Sequence, residues 1–321
     1  MLYPILKFVR VSALPSAWAD TLGGCALALA VSASGVFRFE PAKLPWLLLM
    51  TLGIYLGGMA HNDVAHFDKD RLLGKKRPLV TGELPTMAGF IVMLALFATG
   101  LLGAFMAGCA GEAAVLVLLV LAYNRLARGR ATPDGFVQSG AGAALAVAVI
   151  AACRGLHVLL PLLAHAPESV VGHLVARPLV WGFAATVVVW FMLVTSVSLF
   201  EDRGGGADAL RWIARLAVPV VFAYPLYLLA RPGQPVLVIG LIAPLLVLVA
   251  LLWRYWQASD RAVADPNPRH VGMLVGAGIR SECLLMAALA WMLVPQQPGW
   301  GLAALLCFPA AILAARWVSP T

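Results

Sequence analysis

Apolar runs divide the chain at 13–36, 44–64, 86–108, 112–127, 136–162, 178–200, 211–230, 235–256, 272–294 and 299–317. Most have the length of an α-helix that crosses a bilayer, about 20 residues. Lipid offers no partner for open backbone groups, so runs of this length predict helices. Short alternating segments, the mark of a membrane barrel, do not occur. The pattern predicts an all-α, polytopic membrane bundle of nine or ten helices, with residues 1–321 as one domain.

Composition agrees: 62% of residues are hydrophobic and only 12% charged. Soluble domains carry about 25% charged residues, so a water-facing globular surface is excluded. Lys7 and Arg10 ahead of the first run resemble a cleaved signal, but Asp20 inside that run and the lack of a small-x-small site predict a retained span. The five cysteines show neither a disulfide framework nor zinc spacing.

The net charge of +8 does not point to nucleic acid, because the cations are sorted by loop. Sixteen Lys and Arg fall at the N-terminus and the even-numbered loops, against Arg38, Lys43, Arg177 and Arg231 on the other side. The bias predicts an inner-membrane protein with a cytoplasmic N-terminus.

The densest charge lies at "HNDVAHFDKDRLLGKKRPLVTGEL", 61–84, just after the second run. On a helix continuing past Asn62, Asp63, His66 and Asp70 are spaced i, i+3, i+7 and share a face, whereas Asp68 points away. Topology and lipid headgroups account for the cations but not for acids on one stripe. Two carboxylates so placed repel unless a cation lies between them, and oxygen ligands of this kind suit Mg²⁺. Lys76 and Arg77 follow at once, and Arg grips phosphate with two hydrogen bonds. Acids for a metal and bases for an anion, above an apolar bundle, describe a lipid-diphosphate site.

"NDVAHFDKD" followed by "RPLVTG" resembles the first aspartate-rich motif of the UbiA superfamily of intramembrane prenyltransferases, NDxxDxxxD then RPxxxG. Asn62, Asp63, Asp70, Arg77, Pro78 and Gly82 match, while His66 stands where the family has aspartate. "RVSALPSAWADTLGG" (10–24), "CRGLHVLL" (153–160) and "ADPNPRHVGMLVGAGI" (264–279) resemble a bacterial branch, the Ebo-operon UbiA-like proteins. The resemblance implies a bundle of about nine helices around a central cavity open to lipid. It implies a polyprenyl diphosphate donor bound through Mg²⁺, and an allylic cation captured by an acceptor.

A second acidic motif is expected after the sixth run, where "TSVSLFEDRGGGADALRW" (195–212) offers Glu201, Asp202 and Asp208. Their spacing departs from the family's DxxxD, and three glycines interrupt any helix. The expected catalytic residues are Asn62, Asp63, Asp70 and Asp202. The expected metal ligands are Asp63, Asp70, Glu201, Asp202 and Asp208. Lys76, Arg77, His66 and Arg154 are expected at the diphosphate, Arg154 because charge inside a span is costly and usually functional. Arg154 pairing with Asp20 is its structural alternative. Arg280 and Glu282, two apart in one span, each need a partner elsewhere. Tyr123, Asn124 and Arg125 read as an aromatic belt or a lid.

The sequence thus points to a Mg²⁺-dependent prenyltransferase acting on a small or lipid-soluble acceptor within the bilayer. A non-catalytic carrier of isoprenoid metabolites with the same fold is the alternative, and an ion-coupled transporter a more distant one. Chain length of the donor, identity of the acceptor and oligomeric state are left open.

Overall fold

The chain is described by a computed structural model covering residues 2–128, 130–132, 135–137, 139–201, 206–230 and 238–318. Ten helices in it are long and apolar enough to cross a membrane. They are α1 (Leu14–Ser32), α2 (Leu44–Ala65), α3 (Thr86–Ala107), α4 (Ala110–Arg128), α5 (Gly140–His165), α6 (Pro178–Ser198), α7 (Ala207–Ala230), α8 (Val238–Ala264), α9 (Pro268–Leu293) and α10 (Gly299–Trp317).

The all-α bundle predicted from the apolar runs is therefore found, with departures at some ends. The first run stops at Ser32, because the chain turns through Ser34 and Gly35, whose φ of 76° is left-handed. The fifth helix starts at Gly140 rather than 136, since 135–137 pairs with Arg130–Thr132 in a small antiparallel hairpin. The Ser139 hydroxyl then caps α5 by accepting from the Gly142 N–H. The eighth helix outlasts its apolar run by eight residues to Ala264. Between Trp256 and Ala264 no Gly or Pro interrupts it. Asn267 caps α9 through the His270 N–H, and Pro268 takes the first helical position.

Helix α9 is the axis of the bundle. Every residue from Ser281 to Leu293 is buried, against α1, α8 and α10. On the other side α2 and α3 pack with almost no side chain between them. A Cβ on Gly53 would come within 2.2 Å of the Gly100 nitrogen, and one on Gly103 within 2.6 Å of the Met50 nitrogen. The "GIYLG" segment thus acts as the small-residue contact its spacing predicts.

Backbone cannot yield as a side-chain tip can, so Gly53→Ala forces the two helices apart. We expect a loss of about 1–3 kcal/mol, read as a lower unfolding temperature in detergent. Gly111→Ala, where nothing lies within 4 Å of the added carbon, should leave that temperature unchanged.

Candidate functional site

The acidic stripe forms at the end of α2. The helix ends at Ala65, His66 has left helical geometry (φ −100°, ψ 8°), and a short helix follows at Phe67–Leu72. The hydrogen-bond ladder is nearly unbroken, since His66 N–H reaches the Asn62 carbonyl and Asp70 N–H the His66 carbonyl. The helical spacing therefore survives the bend. Asp63, His66 and Asp70 are all buried, while Asp68 is exposed and meets Arg128 at 2.9 Å.

The "RPLVTG" segment folds for local reasons. Arg77 is extended, as a residue before proline prefers. Pro78 opens a one-turn helix over Pro78–Thr81, and Gly82 ends it at φ 76°. This turn directs Arg77 back at the stripe, with its guanidinium 3.8 Å from Asp63 and 3.7 Å from Asp70. Lys75 stands 3.8 Å from Asp70.

A third cation arrives from the N-terminus. The helix Leu2–Phe8 buries Phe8 with Leu56, Ala60, Leu79 and Phe97. At Arg10 the chain reverses in left-handed geometry, φ 50° and ψ 51°. It is the only non-glycine with positive φ among the described residues, and such strain persists only where surrounding contacts impose it. Here Arg10 Nη2 donates to Asp63 Oδ1 at 2.6 Å and Asn62 Oδ1 at 3.2 Å.

The charges around this mouth act on one another. Burial alone lowers the pKa of Arg10, but the charge and hydrogen bond of Asp63, with Asp70 and Glu201, hold it above its usual value. Burial and then Arg10 push Arg77 below its own. Burial also holds the His66 imidazole below its usual range, as a neutral group. Its Nε2 lies 2.9 Å from the Asn124 carbonyl, to which it donates. The Asn124 amide accepts from Asn62 at 3.0 Å and donates to His61 at 2.8 Å, tying α4 to α2.

Below the mouth lies a cavity of about 360 Å³, bounded mainly by α2, α4, α5, α6 and α9. Asn62, His66, Asp70, Arg77 and Arg10 line its upper wall, with Glu201 on the opposite rim. Further in, apolar side chains such as Met50, Ile54, Val120 and Val194 share the wall with polar groups. The Arg154 guanidinium lies 5.4 Å from the Tyr55 ring and 4.1 Å from the Phe191 ring, both cation–π distances. Asp20 stands 3.1 Å from Arg154 and 3.4 Å from His157. His157 also meets Thr51 at 3.0 Å. Glu282, wholly buried, faces Asp20 and Arg154.

Of the residues singled out in the sequence, Asn62, His66, Asp70, Arg77, Arg154 and Glu201 line the cavity. Asp63 stands one layer behind, covered by Arg10. Lys76 is exposed, and its neighbour Lys75 takes the wall instead. Asp208 is not brought to the cavity. Its exposed carboxylate pairs with Arg211 at 2.9 Å, because α7 starts at Ala207 and turns this side outward. Asp202 lies outside the described residues. Arg154 lines the cavity and also pairs with Asp20, the structural alternative weighed for it.

Sequence reasoning missed Arg10, treated only as a topological cation, and the bracing role of Asn124. A signal for each was present. Arg10 opens the "RVSALPSAWADTLGG" block that carries part of the family resemblance, and "YNR" is a polar trio at a helix end.

A family model described as UbiA prenyltransferase family matches residues 21–273. No curated protein sequence is significantly similar to the chain. Two solved structures share its fold. One is a digeranylgeranylglyceryl phosphate synthase, at TM-score 0.54 and 17% identity, covering 92% of this chain and 99% of that one. The other is an apo UbiA homologue from Aeropyrum pernix K1, at TM-score 0.56 and 18% identity, covering 84% and 97%.

Arg154→Ala leaves Asp20 and Glu282 in the bundle with no cation beside them. Uncompensated buried charge costs about 3–5 kcal/mol, so a marked fall in unfolding temperature is expected. Arg128→Ala, at an exposed pair worth about 0–1 kcal/mol, should change it little.

Proposed function

The chain belongs to the UbiA prenyltransferase family, and on that premise we propose that it transfers an isoprenoid group from a polyprenyl diphosphate to a small or lipid-soluble acceptor. The observation that carries this reading is a mouth of paired acids and cations set directly on an apolar cavity. Among the described residues, Arg10, Lys69, Lys75 and Arg77 face Asp63, Asp70 and Glu201 there, four cations to three acids. That excess suits a multiply charged anion whose hydrocarbon tail lies in the apolar part.

UbiA prenyltransferases are generally metal-dependent. Among the described residues no group of three or more acids or imidazoles is assembled to hold an ion. The two carboxylates present suit Mg²⁺ in kind, since it takes one or two carboxylates with phosphate oxygens and water. Asp63 Oδ2 is buried and accepts no hydrogen bond among the described residues. Asp70 supplies a second carboxylate on the wall. These two, with Asn62, Glu201 and Asp202 in support, would hold the ion, which when bound supplies positive charge to the diphosphate. Asp208 has no part in this set unless α7 moves. Fixed positive charge is already present, because Arg10 and Arg77 lie against the same acids.

In the proposed reaction Arg77, Arg10 and Lys75 hold the diphosphate through charge-assisted hydrogen bonds. The bond between the allylic carbon and the diphosphate oxygen breaks, and the oxygen keeps the electron pair, stabilised by these cations. The allylic cation remains among Ile54, Val120 and Val194, where water is excluded. The Tyr55 and Phe191 faces favour positive charge. A nucleophilic atom of the acceptor then gives an electron pair to this carbon, and the proton it loses passes to the released diphosphate. Tyr55 lies eight residues from Asp63, about 12 Å along α2, so Arg154 at that ring is set below the diphosphate. We assign Arg154 to the acceptor's polar end rather than to the donor.

The same reading places the protein in the inner membrane, as a single domain with the mouth on the cytoplasmic side. The Ebo-operon UbiA-like branch is our placement within the family.

In proteoliposomes with a labelled prenyl diphosphate and Mg²⁺, wild type should release diphosphate. Asp63→Ala should lower release by about tenfold or more, as expected when a charged partner is lost. Equal and negligible release from both would favour a carrier over an enzyme. His66→Asp restores the family's residue but removes the donor to the Asn124 carbonyl. About 1–3 kcal/mol of lost satisfaction predicts lower turnover, whereas a gain would mark His66 as a plain loss of a metal ligand.

A further inference from the structure

A second cavity, of about 170 Å³, lies between α8 and α9 and shares no lining residue with the first. Arg254, Gln257 and Arg261 of α8 face His270, Met273 and Arg280 of α9 across it. No acidic side chain lines it, and among the described residues none lies within ion-pair distance of the three arginines. Asp265, the nearest acid in the chain to His270, is engaged by His270 and Asn267. Val275 and Ile279 line the central cavity while Met273, Ala277 and Arg280 line this one, so α9 separates the two.

Three cations gathered without an acid repel one another. Arg254 and Arg261 are exposed and Arg280 half-buried. Arg254 lies two residues inside the apolar run that ends at 256 and Arg280 eight inside the one that begins at 272, roughly 3 and 12 Å along the helices. Arginine inside an apolar run is retained where it meets an anion or reaches the interface. The local build favours the first. Arg254 is held over the Phe308 ring of α10 at 4.9 Å. Arg280 folds back over Gly276, where an added Cβ would lie 3.1 Å from its Nη1. The glycine thus leaves room for a guanidinium that lines the cavity with Arg254 and Arg261. Met273 of the lining and Trp253, next to Arg254 in α8, are exposed and present apolar surface, as interfacial aromatic residues do.

We propose that this cavity binds a phosphate-bearing anion, with the phosphate between Arg254, Arg261 and Arg280 and any acyl chain along the apolar rim. Guanidinium groups match phosphate oxygens in pairs, and basic pockets between membrane helices suit anionic headgroups. The shared chemistry is phosphate, and its source is either an anionic lipid or a soluble phosphate. The rim puts the lipid first. The site stands apart from the proposed reaction, and none of its residues belongs to that machinery.

Native mass spectrometry of the full chain in mixed micelles of phosphatidylglycerol and phosphatidylcholine tests the site. Wild type should retain phosphatidylglycerol, and Arg254→Gln/Arg280→Gln should bind it about tenfold or more weakly, with phosphatidylcholine retention unchanged. Gly276→Ala keeps all three arginines and moves only the Arg280 tip, by a few tenths of an ångström, so it should weaken phosphatidylglycerol binding slightly and less than the double variant does. Inorganic phosphate at millimolar concentration distinguishes the sources. Failure to displace the lipid supports a headgroup site, and displacement supports a site for soluble phosphate. Equal phosphatidylglycerol retention by wild type and both variants overturns the proposal. So does a parallel loss of both lipids in the double variant when Gly276→Ala has no effect.

Discussion

The contact between Arg10 and Asp63 is the constraint on which the mouth of the cavity depends. Asp63 is almost wholly buried at a helix end, where an ionised carboxylate is stable only beside a cation. That cation comes from outside α2, carried by a helix whose docking rests on Phe8. The strained turn at Arg10 is the local consequence. The guanidinium cannot reach both Asn62 and Asp63 unless the chain reverses sharply after Leu2–Phe8. The N-terminal segment, which the hydrophobic pattern leaves outside any span, thus completes the site.

Charge inside this bundle is sorted into three places, each balanced differently. At the mouth the cations outnumber the acids slightly and face water. At the deep end one arginine stands against two acids, sealed by aromatic faces. Between α8 and α9 arginines stand without acids. In a low-dielectric interior such groups act on each other over several ångströms, so they must be kept apart. Helix α9 does this, with a face toward each cavity and an unbroken buried stretch beyond them.

The architecture was legible because lipid removes most alternatives. An apolar run of sufficient length can only be a helix, and the ten runs became ten helices. Ends were less legible where polar residues continued a helix, as from Trp256 to Ala264, since hydropathy falls there while helix propensity does not. The stripe of Asp63, His66 and Asp70 was legible because helical spacing is local and outlasted the bend at His66. Arg10 illustrates what spacing does not encode. Its partner Asp63 lies more than fifty residues away, and only packing brings them together, whereas Arg154 and Asp20 could be matched in advance as charges inside spans. Lys75 and Lys76 are adjacent in sequence, and the turn from Gly74 to Pro78 decided which of them reached the wall.

His66 shows how a departure from a family motif changes what a site requires. An aspartate there would add a negative charge beside Asp63 and Asp70, and that charge would call for another cation. The neutral imidazole adds none, and its N–H instead holds the Asn124 carbonyl, fixing α4 against α2. With one acid fewer, Arg10 and Arg77 come close to neutralising the stripe by themselves. On the proposed reading, a diphosphate would draw on cations already in contact with Asp63 and Asp70, so the anion and the acids would compete for the same guanidinium groups. Ligand affinity at the mouth is therefore coupled to the N-terminal helix that delivers Arg10, and loosening Phe8 from its pocket would reach the site through that residue.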